Sequence, residues 1–279
     1  MENILHFEDG AIIGLIIEGI LVIALPVIAL IIWKKKTKEP LFPVLIGAVS
    51  FIGFGLLLKS IPALLLLTGD TPIAKAITGN VWLSAIIGGG LLAGIFEEGG
   101  RFISYKFFLK KYKSKKTAIS YGIGHGGIES AYVGYTAFTF AVMGIIINGG
   151  GIDTIIGGLD EGTKQIALAQ LGSYAHSPLY VPAVFGTLER ISAMIFHTSM
   201  SVFVFAAARE KKYVFLFPLA IILHTAMNST TGFVNSGMIS AVALEFIMLA
   251  YALVMAFFAF KLYKKLEAAE NSLEIKEKV

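Results

Sequence analysis

Long apolar stretches alternate with short polar segments along the chain. They lie at about 11–33, 41–67, 80–108, 117–147, 180–208, 213–233 and 238–263. A helix needs about 20 apolar residues to cross the hydrocarbon core of a bilayer, and each stretch is long enough. The stretches are continuous rather than alternating, which argues against an outer-membrane β-barrel. The pattern predicts an all-α polytopic membrane helix bundle of about seven transmembrane helices.

The composition agrees with this pattern. Of the 279 residues, 56% are hydrophobic and 15% are charged, whereas a soluble domain has roughly 45–50% and 25%. One soluble core cannot bury this excess, so the chain has the lipid bilayer as its partner and no nucleic acid. The chain contains no cysteine, which removes disulfides, thiolate metal ligands and a cysteine nucleophile.

Basic residues predict the orientation. Eighteen of the 23 lysines and arginines form four clusters on one predicted side, at 34–38, 106–116, 209–212 and from 261 onward. Loops rich in lysine and arginine face the cytosol. We therefore expect a multi-pass protein of the bacterial plasma membrane, with the N-terminus outside and the C-terminus cytosolic. Residues 1–265 are predicted to form a single transmembrane domain, with a polar core in 80–233, and 266–279 a charged cytosolic tail.

Two further features concern packing and access. Glycines in the third and fourth spans let helix backbones approach closely, which predicts tight packing there. The longest loop, 148–178, is predicted to be external. It is either a linker that rests on the membrane or a lid or substrate guide, and one stretch of it can form an interfacial helix.

Ionisable residues interrupt the apolar spans, although each costs on the order of 2.5–3.5 kcal/mol at the bilayer centre. Counting from the basic end of each span at 1.5 Å per residue places one group of them roughly 12–17 Å deep. This deep layer contains Glu97, Glu98, His125, His197 and His224. A shallower layer contains Glu18, Lys59, Glu189, Arg190 and Glu245. We expect most of these residues to form ion pairs with one another.

Helical spacing gives most members of the deep layer a partner on the same helix. Arg101 lies three and four residues after the two adjacent glutamates, so it can pair with either. Glu129 follows His125 by four residues, and Asn228 follows His224 by four. Arg190 precedes His197 by seven and shares its face. We expect Glu129, Glu189 and Arg190 to support the site from behind.

The residue types in this layer suit hydrolysis. Two adjacent carboxylates repel each other, so Arg101 is expected to stabilise one while the other serves as a general base. His125, His197 and His224 at one depth are ligands suited to Zn²⁺, with water in the fourth position. A second possibility has no metal, so that a glutamate activates water directly and the histidines hydrogen-bond the substrate carbonyl.

Four motifs, each on its own span, carry a resemblance. They are Glu97-Glu98-Gly99-Gly100-Arg101, Gly124-His125-Gly126-Gly127-Ile128-Glu129, Glu189-Arg190 with His197, and His224-Thr225-Ala226-Met227-Asn228. Over about 80–233 the chain resembles the YhfC-type family of intramembrane metalloproteases. That family is similar to the wider group of type II CAAX prenyl proteases, bacteriocin-processing relatives and PrsW proteases.

The resemblance implies residue roles. Glu97 or Glu98 would activate water, His197 and His224 would bind metal or polarise the carbonyl, and Asn228 would donate a hydrogen bond to the oxyanion. Only two glycines precede Arg101, where the CAAX pattern has three residues, so a prenylated substrate is not implied. The spans contain no HExxH, no GxSG and no aspartate, which argues against the other intramembrane protease classes.

Two functions therefore compete. The first is an intramembrane peptidase that hydrolyses a peptide bond of a membrane-associated protein or peptide. The second is a non-catalytic membrane scaffold, or a proton- or metal-coupled transporter with the same polar core. The chain shows no internal repeat, and a carboxylate pair stands beside Arg101. These two features favour the peptidase.

Overall fold

A computed structural model of the protein describes residues 5–278, apart from the side chains of 235 and 273–278. Seven of its helical segments are long and apolar enough to cross a membrane, which confirms the predicted all-α polytopic bundle. They are Asp9–Thr37, Phe42–Leu67, Val81–Phe108, Lys116–Asn148, Val181–Arg209, Lys211–Val234 and Ala241–Ser272, referred to below as spans one to seven. Within residues 5–278 the chain forms no strand.

Three of the spans contain stretches of π-helix. The second changes to π-helix at Phe51–Leu58, the third at Ser84–Leu91 and again at Ser104–Phe108, and the fifth at Val181–Gly186. A π-turn bonds residue i to i+5 and so changes which side chains share a face. In span three, the α-helix Leu92–Ile103 between two such stretches carries the adjacent glutamates. The π-helical stretches therefore affect the direction in which the polar residues point.

The chain divides into two compact units. One contains Met1–Leu25 and Ser130–Arg190 and includes the loop predicted to be external. Part of this loop is the helix Glu161–Ala175, which begins at Asp160, whose carboxylate accepts a hydrogen bond from the Thr163 N–H. This helix buries Leu171 and Ala175 in an apolar cluster with Phe7, Leu15, Ala137, Ala141, Ile147 and Ile156. The loop is thus folded onto its own unit.

The other unit contains Pro26–Glu129 and Ile191–Val279. Its core is built around Tyr105, Tyr121, Phe196, Met200 and Phe205, all at most 2% exposed. Span five supplies much of this core, and 83% of its most apolar window is buried. A helix buried to this extent has little surface left for lipid, so its polar residues face other helices.

Glycines permit these helices to pack closely. A Cβ at Gly124 would lie 1.9 Å from the carbonyl oxygen of Val44 on span two, and one at Gly122 would lie 2.6 Å from Cα of Thr198 on span five. A Cβ at Gly94 would lie 2.7 Å from the carbonyl oxygen of Ile221 on span six. Small residues bring spans two, five and six close to the polar segments of spans three and four.

The seventh helix continues from Ala241 to Lys278. Glu270 accepts hydrogen bonds from the backbone N–H and the Nζ of Lys115, at 2.5 Å and 3.0 Å. The segment predicted to be a charged tail is therefore helical as far as Lys278, and Val279 lies outside the described residues. Which side of the membrane this end occupies remains a prediction from the basic clusters.

Cysteine labelling tests the orientation on a chain that lacks cysteine. Lys36 and Asp160 are both exposed, so a cysteine at either position can react with a membrane-impermeant thiol reagent. We expect Asp160→Cys to be labelled in intact cells and Lys36→Cys only after permeabilisation, because basic loops remain in the cytosol. The reverse labelling pattern would refute the orientation.

A pair of glycine substitutions tests the close helix contacts. Gly124→Ala places a methyl group against the backbone of span two, and we expect a loss of roughly 1–3 kcal/mol from overpacking. Gly53→Ala is the matched control, since a Cβ there would meet no atom of another helix within 4 Å. Thermal unfolding in detergent measures both. Equal stability of the two variants would show that the approach at Gly124 is not a constraint.

Candidate metal centre and its carboxylates

The two adjacent glutamates on span three are both buried, at 3% exposure for Glu97 and 0% for Glu98. Glu98 accepts hydrogen bonds from Arg101 Nη1 on both carboxylate oxygens. Its Oε1 lies 2.7 Å from Nδ1 of His224 on span six. A buried carboxylate with these charged and polar partners is well compensated. Glu98 therefore joins spans three and six and is fully engaged within the protein.

Glu97 has different neighbours. Its Oε2 lies 3.1 Å from His125 Nε2 and 3.7 Å from His224 Nε2. Its Oε1 lies 3.5 Å from the Lys59 ammonium on span two. Successive residues of an α-helix point about 100° apart, and this separates the two carboxylates. Glu97 thus faces a space bordered by histidines.

His197 connects Arg101 to a third carboxylate. Its Nδ1 lies 3.3 Å from Arg101 Nη2, and its Nε2 lies 2.6 Å from Glu129 Oε2. Arginine is only a donor, so His197 Nδ1 must accept this hydrogen bond. A neutral His197 then carries its proton on Nε2, facing Glu129. This tautomer is assigned from the partners, as ring protons of histidine usually are.

His224 is oriented by Glu98. An ionised carboxylate only accepts hydrogen bonds, so the proton of neutral His224 lies on Nδ1 and its Nε2 carries a lone pair. This Nε2 is buried and makes no hydrogen bond within the described residues. A carboxylate that holds the far nitrogen of an imidazole is the usual support of a metal-binding histidine.

The donor atoms fit a metal ion. One donor atom each from Glu97, His125 and His197 lie within 4.8 Å of one another, and all three residues are buried. Zinc bonds of about 2.0–2.2 Å to nitrogen and oxygen place tetrahedral ligands about 3.3–3.6 Å apart. The separations of 3.1 Å and 3.7 Å from Glu97 Oε2 to His125 and His224 lie close to this range.

The charges also fit a cation. The contacts that surround this space include the carboxylates of Glu97, Glu98 and Glu129 and the cations of Lys59 and Arg101. With neutral histidines, three negative charges face two positive charges in a buried setting. A divalent cation would compensate the excess negative charge.

The compact donor group differs from the three histidines expected from depth alone. Glu97 is a member of it, and His224 is not. His224 instead binds Glu98 through Nδ1, and its Nε2 lies 3.7 Å from Glu97. Depth along a helix places residues in one layer, but hydrogen-bond partners determine which atoms meet.

Asn228 and the other predicted supporting residues are placed as follows. Asn228 is half-buried one turn after His224 and makes no side-chain hydrogen bond within the described residues. Glu189 and Arg190 form an ion pair with each other in the first unit. In that unit Glu18 packs against Gly186, and Glu245 is buried on span seven.

Lys59 is an exception to the mutual pairing expected for most of the shallower layer, because it pairs with Glu97 of the deep layer. The π-helical stretch Phe51–Leu58 immediately precedes it and alters the register of span two. Its long side chain extends the reach further. A lysine within an apolar run needs a carboxylate partner, so its presence was the available signal, although the sequence does not reveal which carboxylate.

The chain is similar to known membrane proteins. A family model described as YhfC intramembrane metalloprotease matches residues 21–249. A curated relative from Bacillus subtilis (strain 168), described as "Uncharacterized membrane protein YhfC", is 30% identical over 257 residues. The match covers 91% of this chain and 97% of the relative. No solved structure matches. Together with the seven apolar helices, this relative supports a multi-pass integral protein of the plasma membrane.

A double-mutant cycle tests the buried ion pair. Arg101→Met leaves Glu98 as an uncompensated buried charge, and we expect a loss of roughly 3–5 kcal/mol in unfolding free energy. Adding Glu98→Gln should restore part of this loss, because the charge is then absent. Unfolding of all four proteins in detergent measures the coupling. Additive effects would show that the two side chains do not act as a pair.

Proposed function

Because the chain belongs to the YhfC intramembrane metalloprotease family, we propose that it hydrolyses a peptide bond of a membrane-associated protein or peptide at Glu97. The observation that supports this most is the buried group of donor atoms from Glu97, His125 and His197. The Glu97 carboxylate lies among imidazoles, and the Nε2 lone pair of His224 is directed at it. Metal ligands and a proton acceptor therefore lie at one point.

Glu97, His125 and His197 would hold the metal, with His224 Nε2 as a further donor. Nitrogen and oxygen ligands of this kind suit Zn²⁺. A bound zinc would act as a Lewis acid toward water and the substrate carbonyl. For His197 to bind the metal, one of its nitrogens must leave its present partner. Nε2 would leave Glu129, or Nδ1 would leave Arg101.

Glu97 moves the proton. Hydrolysis breaks the peptide C–N bond, adds the oxygen of water to the carbonyl carbon and transfers a proton to the leaving nitrogen. Oε2 of Glu97 faces the histidines and Oε1 faces Lys59. With Oε2 as the metal donor, we assign acceptance of the water proton to Oε1, which then returns the proton to the amine. Lys59, 3.5 Å from Oε1, would keep this oxygen apart from the donor atom.

Glu98 and Arg101 position the other groups. Glu98 fixes the ring of His224 through Nδ1, and Arg101 holds both Glu98 and His197. The two glutamates are adjacent in the sequence motif, but their surroundings differ. Both carboxylate oxygens of Glu98 already accept hydrogen bonds from protein donors. We therefore assign catalysis of proton transfer to Glu97 and orientation of the site to Glu98.

We assign to Asn228 the role of hydrogen-bond donor to the oxyanion. Its side chain lies one helical turn from His224 on the same face, and within the described residues it has no hydrogen-bond partner to release. An amide N–H directed at the developing negative charge typically contributes 10²–10³ in rate. The orientation inferred from the basic clusters would place this site nearer the cytosolic end of span three.

Turnover tests the function directly. Purified protein in liposomes is incubated with solubilised membrane proteins from source cells that lack it, and new peptide N-termini are identified by mass spectrometry. We expect wild-type protein to generate specific new N-termini. Glu97→Gln should lower their rate of formation by about 10²–10⁴, the usual contribution of a general base. Glu161→Gln is the control, because Glu161 lies on the exposed loop, where it accepts a hydrogen bond from Gln165.

If the Glu97→Gln variant forms new N-termini as fast as the wild-type protein, Glu97 is not part of the mechanism. A metal-loaded protein that produces no new N-termini, yet moves protons or metal ions across the liposome membrane, would favour the transporter. A protein that shows neither peptidase nor transport activity would favour the scaffold.

Metal content tests the proposed ligands. Elemental analysis of purified, active protein should give about one divalent metal per chain, and His125→Ala should lose both metal and activity. Asn228→Ala should keep the metal while losing 10²–10³ in kcat. Fully active protein with far less than one metal per chain would leave the metal-free mechanism, in which Glu97 activates water alone.

A further inference from the structure

A polar stripe extends from the basic end of span four to the candidate metal centre. Thr117, Tyr121 and His125 follow one another at intervals of four residues, so they share one face of the helix. Their exposed fractions are 1%, 0% and 0%. At 1.5 Å per residue the stripe spans about 12 Å. The buried Ser120 on the same helix lies off this face and accepts a hydrogen bond from Trp33 Nε1.

Several polar atoms in and around the stripe make no hydrogen bond of normal geometry within the described residues. Within the described residues, these buried atoms without a hydrogen bond are Thr117 Oγ1, Tyr121 OH, His125 Nδ1, Tyr105 OH, Arg101 Nε and Ser50 Oγ. Native proteins satisfy nearly all such atoms, either directly or through ordered water. A buried water typically makes about three hydrogen bonds to polar groups of this kind.

These atoms are close to one another. The rings of Tyr105 and Tyr121 are 4.9 Å apart, and those of Tyr121 and His125 are 6.0 Å apart. The guanidinium carbon of Arg101 lies 5.9 Å from the centre of the Tyr121 ring. Ser50 and Ser104 lie near the Tyr121 hydroxyl, and Ser201 lies near that of Tyr105. None of these pairs forms a hydrogen bond of normal geometry. Tyr105, Tyr121, His125 and Arg101 therefore form one continuous group, and Thr117 lies one helical turn before Tyr121.

The group approaches the surface near Arg209, which is partly exposed. Its guanidinium donates to the carbonyl oxygens of Leu109 and Tyr112 at the end of span three. It also lies over the ring of Phe205, which contacts Tyr105 edge-on at 5.3 Å. One end of the polar group is thus next to the candidate metal centre and the other is next to a solvated, basic end of the bundle.

We propose that these side chains bind a file of water molecules that connects the basic end of the bundle to the candidate metal centre. Each hydroxyl can both donate and accept, so the stripe can bind successive waters without net charge. If the proposed function holds, each turnover consumes one water inside an apolar bundle, and this file would supply it. The use of the water rests on the proposed function, whereas its binding does not.

X-ray radiolytic labelling with mass spectrometry tests the binding of water without any assay of activity. Hydroxyl radicals formed from bound water modify adjacent side chains, including buried ones. We expect Tyr105 and Tyr121 to be modified several-fold faster than Phe7, which is also 0% exposed but lies in an apolar cluster. Labelling of the two tyrosines no faster than that of Phe7 would overturn the proposal.

Removing two of the buried hydroxyls provides the second measurement. The double variant Ser50→Ala, Thr117→Val should reduce labelling of Tyr105 and Tyr121 several-fold. Ser199→Ala is the matched control, because Ser199 is buried yet donates to its own helix at the carbonyl of Ile195. Unchanged labelling in the double variant would also contradict the water file.

The two proposals fail separately. Strong tyrosine labelling in a protein without peptidase activity would retain the water file and discard its use in hydrolysis. Peptidase activity in a protein whose tyrosines are not labelled would retain the function and discard the file. In an active protein, Tyr121→Phe should lower kcat several-fold with metal content and KM unchanged.

Discussion

A charge buried in an apolar bundle persists only where other charges and donors surround it. In this chain the buried pair of Glu98 and Arg101 meets that condition, and the rest of the site depends on it. Through Glu98 the pair orients His224, and through Arg101 it contacts His197. Three spans are thereby held at one depth. The close helix contacts at glycine allow the short polar side chains to reach one another.

This arrangement separates two carboxylates that are adjacent in sequence. Glu98 is occupied by protein donors, whereas Glu97 faces histidines and a lysine across a space where donor atoms converge. A hydrolase needs both kinds of group, since a reacting carboxylate is useful only if its surroundings are fixed. The buried hydroxyls of Tyr121 and Thr117 continue the same polar region along span four.

Much of the fold could be predicted from the sequence, because span length and hydropathy are local properties. The layer containing Glu97, His125 and His224 also followed from counting residues along each span. Partners on different helices did not follow. The pairing of Lys59 with Glu97 depends on a π-helical stretch and a long side chain. The pairing of His224 with Glu98, rather than a place in the compact donor group, depends on how two helices face each other.

The most direct test of the account is a crystal structure of active protein with anomalous differences recorded on both sides of the absorption edge of its metal. The account predicts one peak in contact with Glu97 Oε2 and a nitrogen of His125, within the group completed by His197. A peak at another carboxylate cluster, such as Glu18 with Glu189, would contradict it. So would the absence of any peak in crystals of protein that retains full peptidase activity.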